Sequence, residues 1–403
     1  MDWSQKKVLV TGGASFIGSH LVDKLLTLGV RNLRIVDNLS SGRLDNIQNH
    51  LENGRVEFWE DDLLKPGVAH DCMHDIDVVF HLAADHGGRG YVEIHSANCA
   101  ANFMMDGLVF TAAKEAAVEK VVFASSGCIY PNYIQTDPNE ILYLTEGLAG
   151  PPYDSDDIYG WAKLMGEFTL KAFYKEGWLK TASCRYFTVY GERGIENHAV
   201  MAMIARAFVK QNPFAVWGTG EQIRNWTYIS DIVDGTILAA EKIDDGTAVN
   251  LGTMERIKVI DAVQEVLRYS GHQADIELHP EMPTGPYNRV ADNGLAKKLL
   301  GWSPKVSFKE GLHRTMDWYF REKDVAEVKK NLPAMLTGRM ADGTAASVKS
   351  EHAIRSSSPH HAVLRSGLHG DRAHHARLGG RSQTLGVEDI RARRKVSVRR
   401  KGS

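Results

Sequence analysis

One short segment near the start constrains this chain more than any other. The apolar run Lys7–Thr11 leads into Thr11-Gly12-Gly13-Ala14-Ser15-Phe16-Ile17-Gly18, and that loop into the helical pattern Ser19–Leu28. A glycine loop joining a strand to a helix lets the backbone turn tightly and approach a pyrophosphate, whose charge is met by the N–H groups of the helix N-terminus. In that context the spacing predicts dinucleotide binding, with Gly12, Ser15, Phe16, Ile17 and Gly18 as candidate contacts. Ser15 takes the place of the middle glycine of TGxxGxxG, and a residue this small still permits the approach. Asp37 ends the next strand, where a carboxylate accepts both adenosine ribose hydroxyls and repels a 2′-phosphate, so NAD is expected rather than NADP. Asp62, following the run Val56–Trp59, is placed to meet the adenine; the plainer alternative is a surface charge.

Short β-branched runs alternate with helical patterns through Leu33–Asp37, Val56–Trp59, Val78–Leu82, Phe103–Ala116, Val121–Ser125, Ala162–Lys175 and Thr181–Phe187. This order argues an α/β fold with a Rossmann-type, doubly wound parallel sheet. Residues 1–191 are expected to form the NAD-binding domain, with 223–250 returning to it, and 192–222 with 251–337 a smaller substrate domain. From Gly338 the composition changes: 14 Lys and Arg face five Asp and Glu, whereas the preceding 337 residues carry 34 basic and 45 acidic groups. The stretch 338–403 lacks apolar periodicity and is expected to be a disordered tail. A basic tail can touch nucleic acid, but a dispensable extension is the plainer reading, and nucleic acid is not an expected partner. The four cysteines, Cys72, Cys99, Cys128 and Cys184, form no CxxC pair, so neither a metal site nor a disulfide is expected. Reduced thiols, with no apolar run near the roughly 18 residues of a membrane span, point to the cytoplasm.

Tyr159-Gly160-Trp161-Ala162-Lys163 puts a phenol and an ammonium on one helix face, one turn apart. A neighbouring ammonium and a nicotinamide cation favour the phenolate, which makes Tyr159 a candidate base. The strand-end segment Ser125-Ser126-Gly127-Cys128-Ile129-Tyr130-Pro131 supplies hydroxyls and a thiol at the carboxyl edge of the sheet, where ligands bind.

Together these motifs resemble the extended short-chain dehydrogenase/reductases, specifically the nucleotide-sugar epimerases and dehydratases, from about Lys6 to Lys323. The resemblance implies that Tyr159 is the base for the sugar 4-hydroxyl, Lys163 its partner and ribose anchor, and Ser126 the third catalytic member. It adds Leu82 and Ala83 to the NAD contacts. It makes Gly88, Arg89, Ser126 and Thr188 substrate contacts, and Arg224 and Arg289 ligands of the diphosphate. Dehydratases usually carry Asp-Glu where this chain has Gly127-Cys128, which disfavours dehydration. The stretch 83–90 and Ser126–Pro131 resemble GDP-mannose 3,5-epimerase, in which the cysteine matching Cys128 is an acid/base and the opposing lysine matches His198 here. The plainer readings are a buried thiol and a helix-capping imidazole. Arg185-Tyr186-Phe187-Thr188-Val189-Tyr190-Gly191 instead resembles the UDP-glucuronate 4-epimerases. C3/C5 epimerisation of a GDP-mannose-like substrate is therefore expected, with 4-epimerisation of UDP-glucuronate or UDP-glucose as the alternative. A non-catalytic NAD sensor and a net oxidoreductase are the weaker rivals, and family members often form homodimers.

Overall fold

The computed structural model of the chain describes Met1–Gly338. The expected tail, Gly338 apart, lies outside the described residues. The sheet has seven strands: β1 (Lys7–Thr11), β2 (Asn32–Asp37), β3 (Glu57–Glu60), β4 (Val78–His81), β5 (Lys120–Ser126), β6 (Lys180–Tyr186) and β7 (Asp245–Leu251). Their order is β7-β6-β5-β4-β1-β2-β3, and every neighbouring pair is parallel. All carboxyl ends therefore share one edge, and the winding reverses between β1 and β4. Outside such a reversal lies the crevice where open parallel sheets bind ligands.

The sheet is covered on both faces, which is why β4 and β5 are buried along their whole length. Side chains alternate across β1: Val8 and Val10 enter one core, and Leu9 enters the other. Helix α1 (Phe16–Thr27) starts directly after the glycine loop. Helices α2 (Ser96–Glu115) and α3 (Asp157–Lys175) pack against each other. Both begin earlier than their apolar patterns, expected from Phe103 and Ala162. The first turns of α2 carry only small and polar residues, and one of them anchors a loop: Asn102 donates to Asp85 O at 2.9 Å and accepts from Asp85 N at 2.7 Å.

The segment 223–250 divides. Ile223–Arg224 joins a three-stranded sheet with Ile257–Lys258 and Asn288–Arg289, whereas helix Ile229–Lys242 packs on α1 and leads to β7. In that small sheet Arg224 and Arg289 are register partners on adjacent parallel strands. Among the described residues no helix is long and apolar enough to cross a membrane.

Candidate active site

A cleft of about 340 Å³ opens at the carboxyl edge of β1, β4 and β5. Its wall includes Gly12, Ser15, Phe16, Ile17, Gly18, Leu82 and Ala83. Gly12 has φ +70, and a Cβ there would sit 2.9 Å from Ala83 N; a Cβ on Gly18 would sit 2.1 Å from Gly12 O. Both glycines are demanded by backbone against backbone, which keeps the loop open to a pyrophosphate. Thr11 Oγ1 accepts from Leu82 N at 3.2 Å and Ala83 N at 3.1 Å, so the opposite wall is tied to the same strand end.

Asp37 lies beneath the loop, 6% exposed, where Oδ2 accepts from Ala14 N at 3.0 Å and Ser15 Oγ at 3.2 Å. Serine at the place of the middle glycine thus gives the Asp37 carboxylate an extra donor. Asp62 is not part of the cleft lining; its carboxylate accepts from Leu64 N and Asn38 Nδ2.

Deeper in, Tyr159, Lys163, Ser126, Cys128 and His198 all line the cleft. Ser126 is near enough to the Tyr159 phenol to oppose its upward shift, and its Oγ accepts from Cys128 N at 3.1 Å. Lys163 is 1% exposed and its Nζ has no hydrogen-bond partner; Asp106 Oδ1 stands 4.0 Å away. Burial drives the Lys163 ammonium below its ordinary value, against Asp106, and drives the Tyr159 phenol above its own, with Cys128 and Asp106 adding to it. The phenolate was expected from the Lys163 ammonium together with a nicotinamide cation. In the fold that ammonium lies 5.8 Å from the Tyr159 ring centre and is itself destabilised, so lysine alone does not ionise the phenol. An orphaned buried ammonium and a cradle that any Cβ would fill both fit a dinucleotide, with Lys163 free to hold a ribose hydroxyl.

Cys128 sits on a one-turn 3₁₀ helix at the end of β5, partly exposed rather than buried. His198 occupies the N-cap position of helix Ala199–Phe208 but makes no side-chain capping bond. Between His198 and Tyr159 lies His86, whose ring stacks on Tyr159 at 4.2 Å and approaches His198 at 5.6 Å. His86 was not among the expected site residues, because nothing local marks a stacking contact 73 residues away in the chain.

Gly88, Arg89, Thr188, Arg224 and Arg289 line the same cleft. Arg289 donates from Nη1 to Cys128 Sγ at 3.3 Å and from Nε to Gln135 at 2.9 Å, and its buried Nη2 has no acceptor in line. Arg224 donates only to carbonyls, Ile223 O and Thr284 O, each at 2.8 Å. Burial, with Arg289 and Arg89 adjacent, pushes its guanidinium down to about 9. An anion reaching these arginines relieves that repulsion, which suits the planar fork for a diphosphate.

Residues 8–252 match the model of the NAD dependent epimerase/dehydratase family. The chain belongs to that family. NAD is its cofactor, and it is an enzyme of the nucleotide-sugar epimerase and dehydratase class. A Bacillus subtilis (strain 168) protein described as an uncharacterized UDP-glucose epimerase is 32% identical over 313 residues, 76% of this chain and 95% of its own. GDP-mannose 3,5-epimerase 1 of Oryza sativa subsp. indica is 30% identical over 78% of this chain and 82% of its own. Among solved structures, UDP-glucuronic acid 4-epimerase from Bacillus cereus, in complex with UDP-glucuronic acid and NAD, superposes with a TM-score of 0.71. It is 30% identical, over 79% of this chain and all of that one.

Proposed function

We propose that this enzyme epimerises the sugar of a nucleotide-diphosphate hexose at C3 or C5 after transient oxidation at C4. The observation that carries the reading is a partly exposed thiol and an imidazole, Cys128 and His198, that reach the Tyr159 cleft from different elements. Bound NAD supplies the acceptor, and afterwards the donor, of the C4 hydride. Gly12, Ser15 and Gly18 cradle its pyrophosphate, Asp37 takes the adenosine ribose, and Lys163 takes the second ribose. Tyr159 removes the proton of the 4-hydroxyl while Ser126 holds that oxygen. A C4 ketone acidifies the protons at C3 and C5, and two groups on different sides of the ring can then remove and return them. Cys128 and His198 serve as that pair, an imidazole being able both to take and to return a proton. Arg224 and Arg289 hold the diphosphate. We place the nucleotide-binding domain in 1–191 with the return through β7, and the substrate domain in 192–222 and 251–337.

The second reading, 4-epimerisation of a UDP-sugar, is favoured by Thr188 in the cleft wall and by the likeness to the Bacillus cereus 4-epimerase. Incubation with GDP-mannose, UDP-glucose and UDP-glucuronate in turn, with products identified by NMR, separates the two. A C3- or C5-inverted sugar is expected. Inversion at C4 alone would replace the first reading with the second.

A further inference from the structure

Asp156 has no assigned role, yet it pairs with two of the residues expected to bind substrate, Arg89 and Arg289. It is 7% exposed and stands one residue ahead of α3, three before Tyr159. Its backbone N–H donates to Cys128 O at 2.8 Å, which binds the start of the tyrosine helix to the turn carrying the thiol. Its Oδ2 accepts from Arg89 Nη2 at 2.6 Å and lies 3.0 Å from Arg289 Nη2. One carboxylate is thus shared by two guanidiniums, while Arg224 makes no ion pair among the described residues.

The charges facing the diphosphate region can then be counted. Arg89, Arg224 and Arg289 supply three positive charges to the wall and Asp156 removes one. With Asp157 also in the wall one remains, fewer than the two negative charges of a diphosphate diester, so none is left over for a further anion. Glu93, 3.6 Å from Arg89, is half-exposed and screened by solvent. Arg206 does not line this cleft and is held over the Trp217 ring. Asp157 stands next to Asp156 in the chain. A third negative charge on the ligand, such as a carboxylate at sugar C6, therefore finds both nearest guanidiniums already paired and two protein carboxylates close by.

We infer that Asp156 sets the substrate class: by holding Arg89 and Arg289 it leaves charge for the diphosphate alone, so the enzyme accepts a neutral hexose and rejects a hexuronate. The inference rests on the nucleotide-sugar reading of the site and narrows it. It separates this chain from relatives whose names include glucuronic acid, although Thr188 resembles theirs.

The test is binding to the NAD-loaded full chain, by calorimetry, of two pairs that share a base: UDP-glucose with UDP-glucuronate, and GDP-mannose with GDP-mannuronate. Wild-type protein is expected to favour the neutral member of whichever pair it binds by about tenfold or more, and Asp156→Asn to abolish that preference. Adding Arg89→Gln to Asp156→Asn restores the net charge and is expected to restore the preference; Glu93→Gln is expected to leave it unchanged. A role in folding alone would weaken both members of a pair equally and leave their ratio intact. If Asp156→Asn does not fold, as judged by circular dichroism and retained NAD, the wild-type ratio still decides. Equal affinity of wild type for both members overturns this inference and leaves the reading of the site standing. Binding of no nucleotide sugar overturns both.

Discussion

Gly88 was expected to touch substrate, and the structure attaches a different and measurable demand to it. Its φ of −69 is ordinary, so no conformational argument requires glycine there. The requirement is space: a Cβ on Gly88 would lie 1.7 Å from Asn197 O and 2.7 Å from the carbonyl carbon behind it. Carbon and oxygen settle no closer than about 3.3 Å, so Gly88→Ala must part the two segments by about 1.5 Å. One segment carries His86 and Arg89, and the other carries His198. Both partners are backbone, so no rotamer change relieves the clash. Overpacking of this kind costs about 1–3 kcal/mol, a fall of a few degrees in Tm, and a misplacement of about 1 Å at a reacting group costs about 100-fold in rate. Gly88→Ala is therefore expected to lower kcat about 100-fold while purifying with a full complement of NAD, since its Cβ meets Asn197 and not the glycine loop. Turnover by NMR, NAD content after denaturation and a thermal melt measure the three quantities. A kcat within threefold of wild type would show that the Gly88–Asn197 contact does not position His198, and the geometric argument would be wrong.

Tyr159→Phe is expected to lose at least 100-fold in activity with NAD still bound, because the hydroxyl is needed for proton transfer and not for the pyrophosphate; retention of a tenth of the rate would remove Tyr159 as the base. Gly18→Ala should do the reverse and empty the protein of NAD, its Cβ meeting Gly12 O at 2.1 Å; an unchanged NAD content on purification would contradict this. Burial raises the Asp156 carboxyl, but Arg289 and Arg89 outweigh it and hold the group below its ordinary value of 3.8. The stability it contributes is then present above that pH and lost as pH falls through the native value. Urea melts of wild type and Asp156→Asn are expected to differ at neutral pH and to converge below about pH 4. A chain ended after Gly338 is expected to keep NAD and turnover; ending it earlier removes the Gly338 carbonyl that Asn197 Nδ2 bonds at 2.9 Å, next to His198.

Much of the cofactor half was legible because its demands are local. A glycine loop between strand and helix encodes backbone geometry directly, and Tyr159 with Lys163 needs only the period of one helix. The substrate half depends on pairings far apart in sequence. Arg224 and Arg289 could be picked out by resemblance, but their side-by-side register arises only when Ile223–Arg224 and Asn288–Arg289 become neighbouring strands. Asp156 and His86 bear on the site through tertiary contacts, to arginines 67 and 133 residues away and to a phenol on α3. The start of α2 was hidden for a different reason: its first turns hold small residues and Asn102, which secures the Asp85 loop, so large apolar side chains begin late. The ionisation of Tyr159 shows the limit of spacing as an argument. A lysine one turn away is a favourable charge in water, but burial raises the Tyr159 phenol and lowers the Lys163 ammonium, which leaves the nicotinamide cation as the other charge that favours the phenolate.

The measurement that bears most directly on the proposed reaction is turnover in D₂O, with the carbon-bound sugar protons followed by NMR. A 4-epimerase returns the same hydride to the other face of the ketone, so no deuterium enters carbon. Inversion at C3 or C5 loses a proton to Cys128 or His198 and regains one from a group that exchanges with solvent. Deuterium at C3 or C5 is expected with wild type. With Cys128→Ala this incorporation is expected to stop while C4 oxidation and reduction continue. Deuterium-free inversion at C4, unaffected by loss of the thiol, would contradict the account and leave Cys128 as a packing residue.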